Sequence, residues 1–269
     1  HAATVQVRLD LCQVLVLRGR LDEAERQLAR AEQAFATDAT LVDDDRLHTT
    51  ALVRRADLQR VRGDRDAAIA ILTPVVERLR AEHPDERNTW LVANLLAGAL
   101  QEGGQADAAE PLYRAAIDGF RRIGDEDHPA ALAATNNLLM VLYARGQKEQ
   151  MVPMLERLVE VRSRVLGPAH PDTIGTLSNL GGLLYRLDRT AEAVTIFRRA
   201  VDALGPDADD HDRIVQTLLS NLTKAETMIG EYDAAQLHGE RVLRSRREVF
   251  GDDHEATLMT AVMIADLHR

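Results

Sequence analysis

The stretch LSNLGGLLYRLDRTAEAVTIFRRA, residues 177–200, decides the fold of this 269-residue chain. Its first half places apolar side chains at the spacing of one helix face: Leu177, Leu180, Leu183 and Leu184. That spacing predicts a helix, because residues three and four apart share a face. A turn around Asp188 follows, and the acidic, alanine-rich segment after it has the composition of a second helix start. The stretch therefore predicts a helix–turn–helix unit.

The same turn and helix start recur from one end of the chain to the other. They read RGRLDEAE around Gly19, RGDRDAAI around Gly63, GGQADAAE around Gly104, RGQKEQMV around Gly146, RLDRTAEAV around Asp188 and IGEYDAAQ around Gly230. These positions are spaced by 44, 41, 42, 42 and 42 residues. Glycine in the turn predicts a left-handed residue that ends the first helix, A. The acidic residues favour the positive end of the second helix, B.

A second motif recurs half a repeat out of phase with the turn. Its copies are His83-Pro84, His128-Pro129, His170-Pro171, His211-Asp212 and His254-Glu255, spaced by 45, 42, 41 and 43 residues. His1 opens the chain at the same phase. Proline suits the first turn of a helix, where no N–H donor is needed. We therefore predict that each motif begins a helix A, with the histidine in a structural role.

The two motifs divide the chain into repeats. The predicted boundaries are 1–44, 45–84, 85–127, 128–169, 170–210 and 211–253, with a terminal helix at 254–269. One helix pair cannot bury its apolar faces alone, whereas stacked pairs share a continuous core. We predict one domain, an all-α solenoid of stacked antiparallel helix pairs with about six repeats and a final helix. Because the chain starts without Met and ends inside a seventh unit, we expect a fragment of a longer protein.

Composition favours closely packed helices and argues against several other classes. Hydrophobic residues make up 45% of the chain and aromatics only 3%, which favours a core of Leu, Ala, Val and Ile over a β-rich fold. The net charge of −10 argues against nucleic acid as a partner, because phosphate binding needs clustered Lys and Arg. No apolar run is long enough to span a membrane. The lone Cys12 suits a reducing compartment, so we expect a buried thiol in a cytoplasmic protein.

The fifth repeat resembles the tetratricopeptide signature. Asn179-Leu180-Gly181-Gly182-Leu183-Leu184-Tyr185 is followed by Ala191-Glu192-Ala193, Phe197 and Ala200, and the helix-B alanine recurs as Ala24, Ala68, Ala109 and Ala235. The repeat length and the His-Pro-Asp linker look more like the long repeats of kinesin light chains. The scarcity of lysine indicates a GC-rich bacterial genome. The resemblance implies a right-handed superhelix. Met151 and Gly239 depart from the signature, so we expect looser packing there.

The resemblance also implies where a partner binds. In the family, helices A line the concave surface, and a helix-A asparagine can hold the backbone of a bound peptide. The residues implied are Arg54, Asn94, Asn137, Met140, Tyr143, Asn179, Tyr185, Asn221 and Lys224. The amides can equally join neighbouring helices, and the tyrosines can be partly buried spacers, so both interpretations stay open. The groove would have mixed charge near Asp57 and Arg60 and be neutral with aromatic patches centrally, which suits a peptide with apolar anchors.

The sequence carries no motif for catalysis or for a cofactor. The linker histidines fall about one repeat apart, too far to share a metal ion. The acidic clusters Asp43-Asp44-Asp45 and Asp252-Asp253 lack the ligand spacing of a calcium loop. There is no phosphate-binding glycine loop, nucleophile elbow or Cys/His zinc pattern. We therefore expect a protein without enzymatic activity, metal or cofactor.

Two functions from different classes follow from these patterns. The first is a scaffold that binds a protein or peptide on the helix-A surface, with no nucleic acid and no membrane. The alternative is a sensory or autoinhibitory arm of a larger bacterial signalling enzyme, a kinase or an assembling ATPase, whose partner is another domain of the same chain. Self-assembly through apolar terminal helices is a third possibility. Sequence preceding His1 would distinguish the first two.

Overall fold

The computed structural model of the protein describes residues 2–38, 41, 44–205 and 208–267. Within these ranges the chain forms thirteen α-helices and no β-strand. They are α1 (Ala2–Leu17), α2 (Leu21–Thr37), α3 (Asp45–Arg62), α4 (Arg65–Glu82), α5 (Arg87–Glu102), α6 (Ala106–Arg122), α7 (Pro129–Ala144), α8 (Lys148–Val165), α9 (Pro171–Arg186), α10 (Thr190–Leu204), α11 (Arg213–Met228), α12 (Tyr232–Phe250) and α13 (Glu255–Asp266). Odd-numbered helices are the predicted helices A and even-numbered helices the predicted helices B, so the all-α repeat is confirmed. His1 and Asp43 lie outside the described residues.

The helices pack in chain order within two compact units, residues 1–141 and 142–269, and the boundary falls inside α7. In the first unit α1 packs on α2, α3 on α4 and α5 on α6, and successive pairs meet through α2/α3 and α4/α5. In the second unit α9 pairs with α10 and α11 with α12, flanked by α8 and α13. Helices A of successive pairs also contact each other, α1 with α3 and α9 with α11. Each unit therefore presents a surface lined by helices A.

The turn between helix A and helix B has the same hydrogen bonds in all six pairs. After α1, the N–H of Gly19 donates to the carbonyl of Val16 (3.0 Å) and the N–H of Arg20 donates to the carbonyl of Leu15 (2.9 Å). These two bonds close a helix that ends in a left-handed residue. That residue is glycine in five of the turns, whereas the fifth turn has Asp188 at φ 58°. The predicted left-handed helix ends are confirmed, and glycine is favoured there because it has no Cβ to clash.

Linker histidines cap the helices A that follow them. The Nδ1 atoms of His128, His170 and His254 accept hydrogen bonds from the backbone N–H two residues later, at 3.1, 3.2 and 3.2 Å. Before α11 the cap is Asp212, whose Oδ1 accepts from the N–H of Ile214 at 2.6 Å. The first N–H groups of a helix have no partners within the helix, so these acceptors stabilise it. The predicted structural role of the linker histidines is confirmed at these three positions.

Replacing the cap of α9 tests this role. We expect His170→Ala to lower the free energy of unfolding by about 0.5–2 kcal/mol, because the N–H of Asp172 loses its acceptor. His170→Asp should recover most of that loss, since an aspartate already caps α11. Urea unfolding followed by circular dichroism measures both variants. Equal stabilities of the alanine and aspartate variants would show that His170 acts through other contacts.

Small residues in one helix make room for aromatic rings of its partner. Gly119 in α6 lies so close to the indole of Trp90 in α5 that a Cβ at position 119 would overlap the ring. Gly181 in α9 has the same relation to Phe197 in α10, where a Cβ would lie 2.5 Å from the ring. Both rings are buried. Helix A and helix B approach closely in these pairs because the glycines have no side chain.

The sixth repeat is packed more closely than its sequence suggests. A Cβ at Gly239 would lie 3.0 Å from Cγ1 of Ile264 and 3.2 Å from Cγ2 of Thr223. Ile264 of α13 therefore occupies the space next to Gly239, where two other copies have an aromatic, Tyr113 and Phe197, and the remaining three have leucine. The expectation of looser packing at Gly239 is wrong, because a neighbouring helix fills the gap. Met151, the other departure from the signature, is also buried.

Candidate partner-binding surface

The residues predicted to contact a partner all lie on helices A and differ in exposure. The exposed ones are Met140, Tyr143, Asn179 and Lys224. The half-buried ones are Arg54, Asn94, Asn137, Tyr185 and Asn221. The structure thus separates the predicted set into side chains presented to solvent and side chains partly enclosed by the fold.

Asn94 joins two helices A of the first unit. Its Nδ2 donates to the backbone carbonyl of Ala130 at 3.4 Å, which links α5 to α7. Its Oδ1 is buried and has no hydrogen-bond partner in the protein. This geometry favours the interpretation that Asn94 keeps neighbouring repeats in register.

Asn137 is also engaged inside the first unit. Its side chain hydrogen-bonds the hydroxyl of Tyr113, which in turn donates to Oε1 of Gln101 at 2.7 Å. Tyr113 is fully buried, and burial raises the pKa of its phenol while the bond from Asn137 opposes that shift. Asn137 therefore gives a second hydrogen-bond partner to a buried hydroxyl that already donates to Gln101.

The equivalent residues of the second unit make no such contacts. Asn179 in α9 and Asn221 in α11 stand 42 residues apart, at the same position of the repeat. In the described part of the chain neither side chain has a hydrogen-bond partner within the protein, and the same holds for Tyr185 and Lys224. These four side chains leave their polar atoms available to solvent or to a ligand.

Met140 and Tyr143 place apolar surface on α7. They stand three residues apart, so they share a helix face, and they are 64% and 61% exposed. A ring with a polar tip and a flexible thioether are both enriched at protein interfaces. Their exposure is compatible with partner contact and does not support the interpretation of Tyr143 as a buried spacer.

Arg54 lies among polar residues of α1 and α3. Its Nη2 donates to Oε1 of Gln13 at 2.6 Å, whereas its Nε is buried without a partner. Burial lowers the pKa of the guanidinium, and the nearby carboxylates of Asp10 and Asp57 oppose that shift. Asp57 also pairs with Arg60 at 2.9 Å. The mixed charge predicted for this region is present, and its groups largely satisfy one another.

The second unit also contains a buried charged cluster that the repeat pattern does not predict. Glu226 in α11 has a fully buried side chain. Arg198 of α10 donates from Nη2 to its Oε1 at 2.7 Å, and Nδ1 of His238 in α12 lies 2.8 Å from its Oε2. Arg198 also pairs with Glu231. A carboxylate at this position departs from the repeat pattern, and that departure is the signal by which the sequence marks Glu226. Four other repeats have leucine there: Leu15, Leu100, Leu142 and Leu184.

Three further predictions concern metal binding, membrane-spanning helices and the thiol of Cys12. Among the described residues, no three or more His, Cys, Asp and Glu side chains are grouped to hold a metal ion. In the same residues no helix combines the length and the apolar character that crossing a membrane requires. Cys12 is fully buried, and burial raises the pKa of its thiol. The prediction of a small buried residue at position 12 is confirmed.

Comparison with known proteins agrees with this architecture. Models of the tetratricopeptide repeat match residues 85–150, 140–204 and 215–256. A protein of Podosopora anserina, described as a kinesin light chain with nearly identical TPR-like repeats, is 20% identical, with 76% of this chain and 97% of that chain covered and a TM-score of 0.56.

Two further solved structures share the fold. BtubC from P. vanneervenii is 22% identical, with 84% of this chain and 92% of that chain covered and a TM-score of 0.52. PilF of Pseudomonas aeruginosa is 13% identical, with 97% of this chain and 98% of that chain covered and a TM-score of 0.53. At these identities the likeness concerns the fold alone. No curated protein matches the chain by sequence.

Proposed function

This chain belongs to the tetratricopeptide repeat family, and on that basis we propose that it is a protein-interaction scaffold that binds a peptide or protein segment on the helix-A surface of its second unit. The observation that carries the proposal is Asn179, which is exposed and has no hydrogen-bond partner in the protein. Asn137, at the equivalent place in the first unit, is engaged in packing, and so is Asn94, which stands one position before the equivalent residue of its repeat, Leu95. A free amide offers a donor and an acceptor together to the backbone of an extended peptide.

Neighbouring side chains indicate the character of the ligand. Asn221 repeats the amide one repeat further on, and Lys224 follows it by three residues as an exposed cation. Tyr185 adds a ring with a polar tip at the end of α9. These groups suit an extended peptide with an apolar anchor near Tyr185 and a polar or acidic group near Lys224. Nucleic acid and membrane surfaces suit the net charge of −10 poorly.

The proposed role is binding without catalysis. Among the described residues, the recurring histidines that the structure explains are helix caps, and the recurring glycines are turn residues. These recurring histidines and glycines thus already have structural tasks, and no reaction, metal or cofactor is part of the proposal. A cytoplasmic location is proposed with it, because the buried thiol of Cys12 suits a reducing compartment.

Partner capture from a cell lysate tests the proposal. The full chain and the double variant Asn179→Ala/Tyr185→Ala serve as baits, and captured proteins are quantified by mass spectrometry. We expect the double variant to lose at least about tenfold of the captured partner, because two interface side chains each contribute more than about 1 kcal/mol at a binding centre. Circular dichroism verifies that both baits have the same helix content.

The variant Tyr232→Ala is the matched control. Tyr232 lies on helix B of the sixth repeat and is 52% exposed, so its removal takes away a similar ring from the other surface. This control should keep the partner. Equal capture by the double variant and the parent would refute binding through Asn179 and Tyr185. Capture of no partner by any bait would favour the regulatory arm, whose partner is another part of the same polypeptide.

A further inference from the structure

The linker between α10 and α11 is longer than the fold requires. It covers residues 205–212, eight in all, whereas residues 83–86 suffice between α4 and α5 and residues 251–254 between α12 and α13. The remaining linkers between a helix B and the next helix A have five to seven residues, so this linker is the longest of the six. Since four residues are enough to join two helices, the surface that the described residues 208–212 form is a candidate for a separate task.

An apolar cleft of about 170 Å³ opens between this linker and the start of α9. Its apolar walls come from both repeats and include Pro171, Ile174, Leu204 and Ile214. Ile214 is 38% exposed, so the cleft is open to solvent. An engineered apolar cavity of about 150 Å³ in another protein holds a benzene molecule. The cleft therefore has room for one large apolar side chain.

Two carboxylates line the same cleft. Oδ1 of Asp209 accepts from the N–H of His211 at 2.9 Å, and Oδ1 of Asp212 accepts from the N–H of Ile214 at 2.6 Å. These backbone bonds hold the carboxylates in place. Within the described part of the chain, neither carboxylate is paired with a cationic side chain. Asp210, between them, is instead paired with Arg241 at 2.6 Å.

Other charges near the cleft are mixed but do not cancel the acidic lining. Asp172, which follows Pro171, is exposed and adds a further carboxylate at the start of α9. Arg213, which follows Asp212, adds an exposed cation at the start of α11. The helix dipole of α11 also favours the charge of Asp212. An acidic rim around an apolar cleft is complementary to a ligand that combines an apolar group with a cation.

We propose that this cleft is a second docking site, for a peptide segment that carries one large apolar side chain next to a lysine or arginine. The apolar side chain fills the cleft, and the cation lies at Asp209 and Asp212. Exposed ion pairs contribute little affinity, so burial of the apolar group supplies most of the binding and the carboxylates select the sequence. The site is formed by helix ends and a linker, so it is independent of the proposed binding through Asn179 and Tyr185.

Isoleucine methyl groups inside and outside the cleft provide the test. The full chain, labelled with carbon-13 at isoleucine δ1-methyl groups, is titrated with three peptides blocked at both ends: Ser-Lys-Phe-Lys-Ser, Ser-Glu-Phe-Glu-Ser and Ser-Lys-Ser-Lys-Ser. We expect the first peptide to shift the signals of Ile174 and Ile214 saturably at millimolar concentration. The signals of Ile69 and Ile117, in the first unit, should not move. The other two peptides should leave all four signals unchanged.

Two variants make the result specific. Asp209→Asn/Asp212→Asn should weaken binding of the lysine–phenylalanine peptide by about three- to tenfold, while asparagine retains the cap of α11. Ala169→Leu, which fills the cleft from an exposed position of its wall, should abolish the shifts. Absence of shifts at Ile174 and Ile214 in the parent chain would overturn the proposal. Equal binding of the lysine and glutamate peptides, or unchanged affinity in the asparagine variant, would overturn the role of the carboxylates.

Discussion

Gly119→Ala is expected to lower the free energy of unfolding by about 2–3 kcal/mol. A methyl group at position 119 would overlap the ring of Trp90, and the ring cannot withdraw, because it is buried and the guanidinium of Arg122 lies 5.2 Å from its centroid. Overpacking typically costs about 1–3 kcal/mol and occasionally more, and a Cβ that would overlap both Cδ2 and Cε2 of the indole places the cost at this site at or above the upper end of that range. It outweighs the gain of up to about 1 kcal/mol that alanine brings to a helix. Urea unfolding followed by fluorescence of the single tryptophan measures the change.

Gly175→Ala is the matched control for Gly119→Ala. It also places a methyl group inside a helix, but no atom lies within 4 Å of the new Cβ, so the variant should gain up to about 1 kcal/mol. A second check compares Trp90→Leu/Gly119→Ala with Trp90→Leu, in which the smaller leucine should reduce the penalty of the alanine. Circular dichroism follows their unfolding, because neither variant contains a tryptophan. Wild-type stability of Gly119→Ala would show that the two helices can separate at no cost.

Arg198→Met is expected to destabilise the second unit by about 2–3 kcal/mol. The substitution keeps much of the apolar stem but removes the donors of Arg198 to Glu226, which is fully buried. Removing one partner of a buried ion pair typically costs about 3–5 kcal/mol, and the partial exposure of Arg198 reduces that figure. Urea unfolding followed by circular dichroism measures the loss, and hydrogen exchange should show faster exchange of amides in α10, α11 and α12.

Two further variants compare the contribution of this cluster to stability with that of an exposed surface ion pair. Arg247→Met breaks an exposed pair with Asp252 (3.0 Å) and should change stability by less than about 0.5 kcal/mol. Arg198→Met/Glu226→Leu should recover most of the loss, because leucine removes the buried charge and is the residue of four other repeats at that position. If the double variant were as unstable as Arg198→Met, the cost would come from lost packing of the arginine stem and not from an unpaired carboxylate.

The fold is predictable from the sequence because each signal occurs many times. A single glycine or a single His-Pro pair is weak, but the turn around Gly19 and its copies predicts the end of helices A, and the linker motif predicts their start. The structure places every helix close to those positions. A departure from the pattern is less informative, because its effect depends on neighbouring helices. Gly239 suggests a gap, yet Ile264 from α13 fills it.

The candidate site is less predictable for a related reason. Asn137 and Asn179 are indistinguishable by repeat position, but the residues on the preceding helix B differ. Tyr113 offers Asn137 a buried hydroxyl, whereas the residue one repeat after Tyr113 is Leu155, which has no hydroxyl. Whether an amide is engaged in packing or free therefore depends on a side chain about 24 residues away. The Glu226 cluster likewise needs residues from three helices.

The turns between helix A and helix B have a consequence for how such a chain can change over time. The two hydrogen bonds that close each turn, such as those of Gly19 and Arg20, involve backbone atoms alone. A helix pair can thus be duplicated, deleted or exchanged as a cassette without a new set of side chains at its turn. The linkers differ in this respect, because His170 and Asp212 achieve similar capping with different side chains. Recombination at the linkers would preserve the architecture, because each linker supplies its own cap to the helix that follows it.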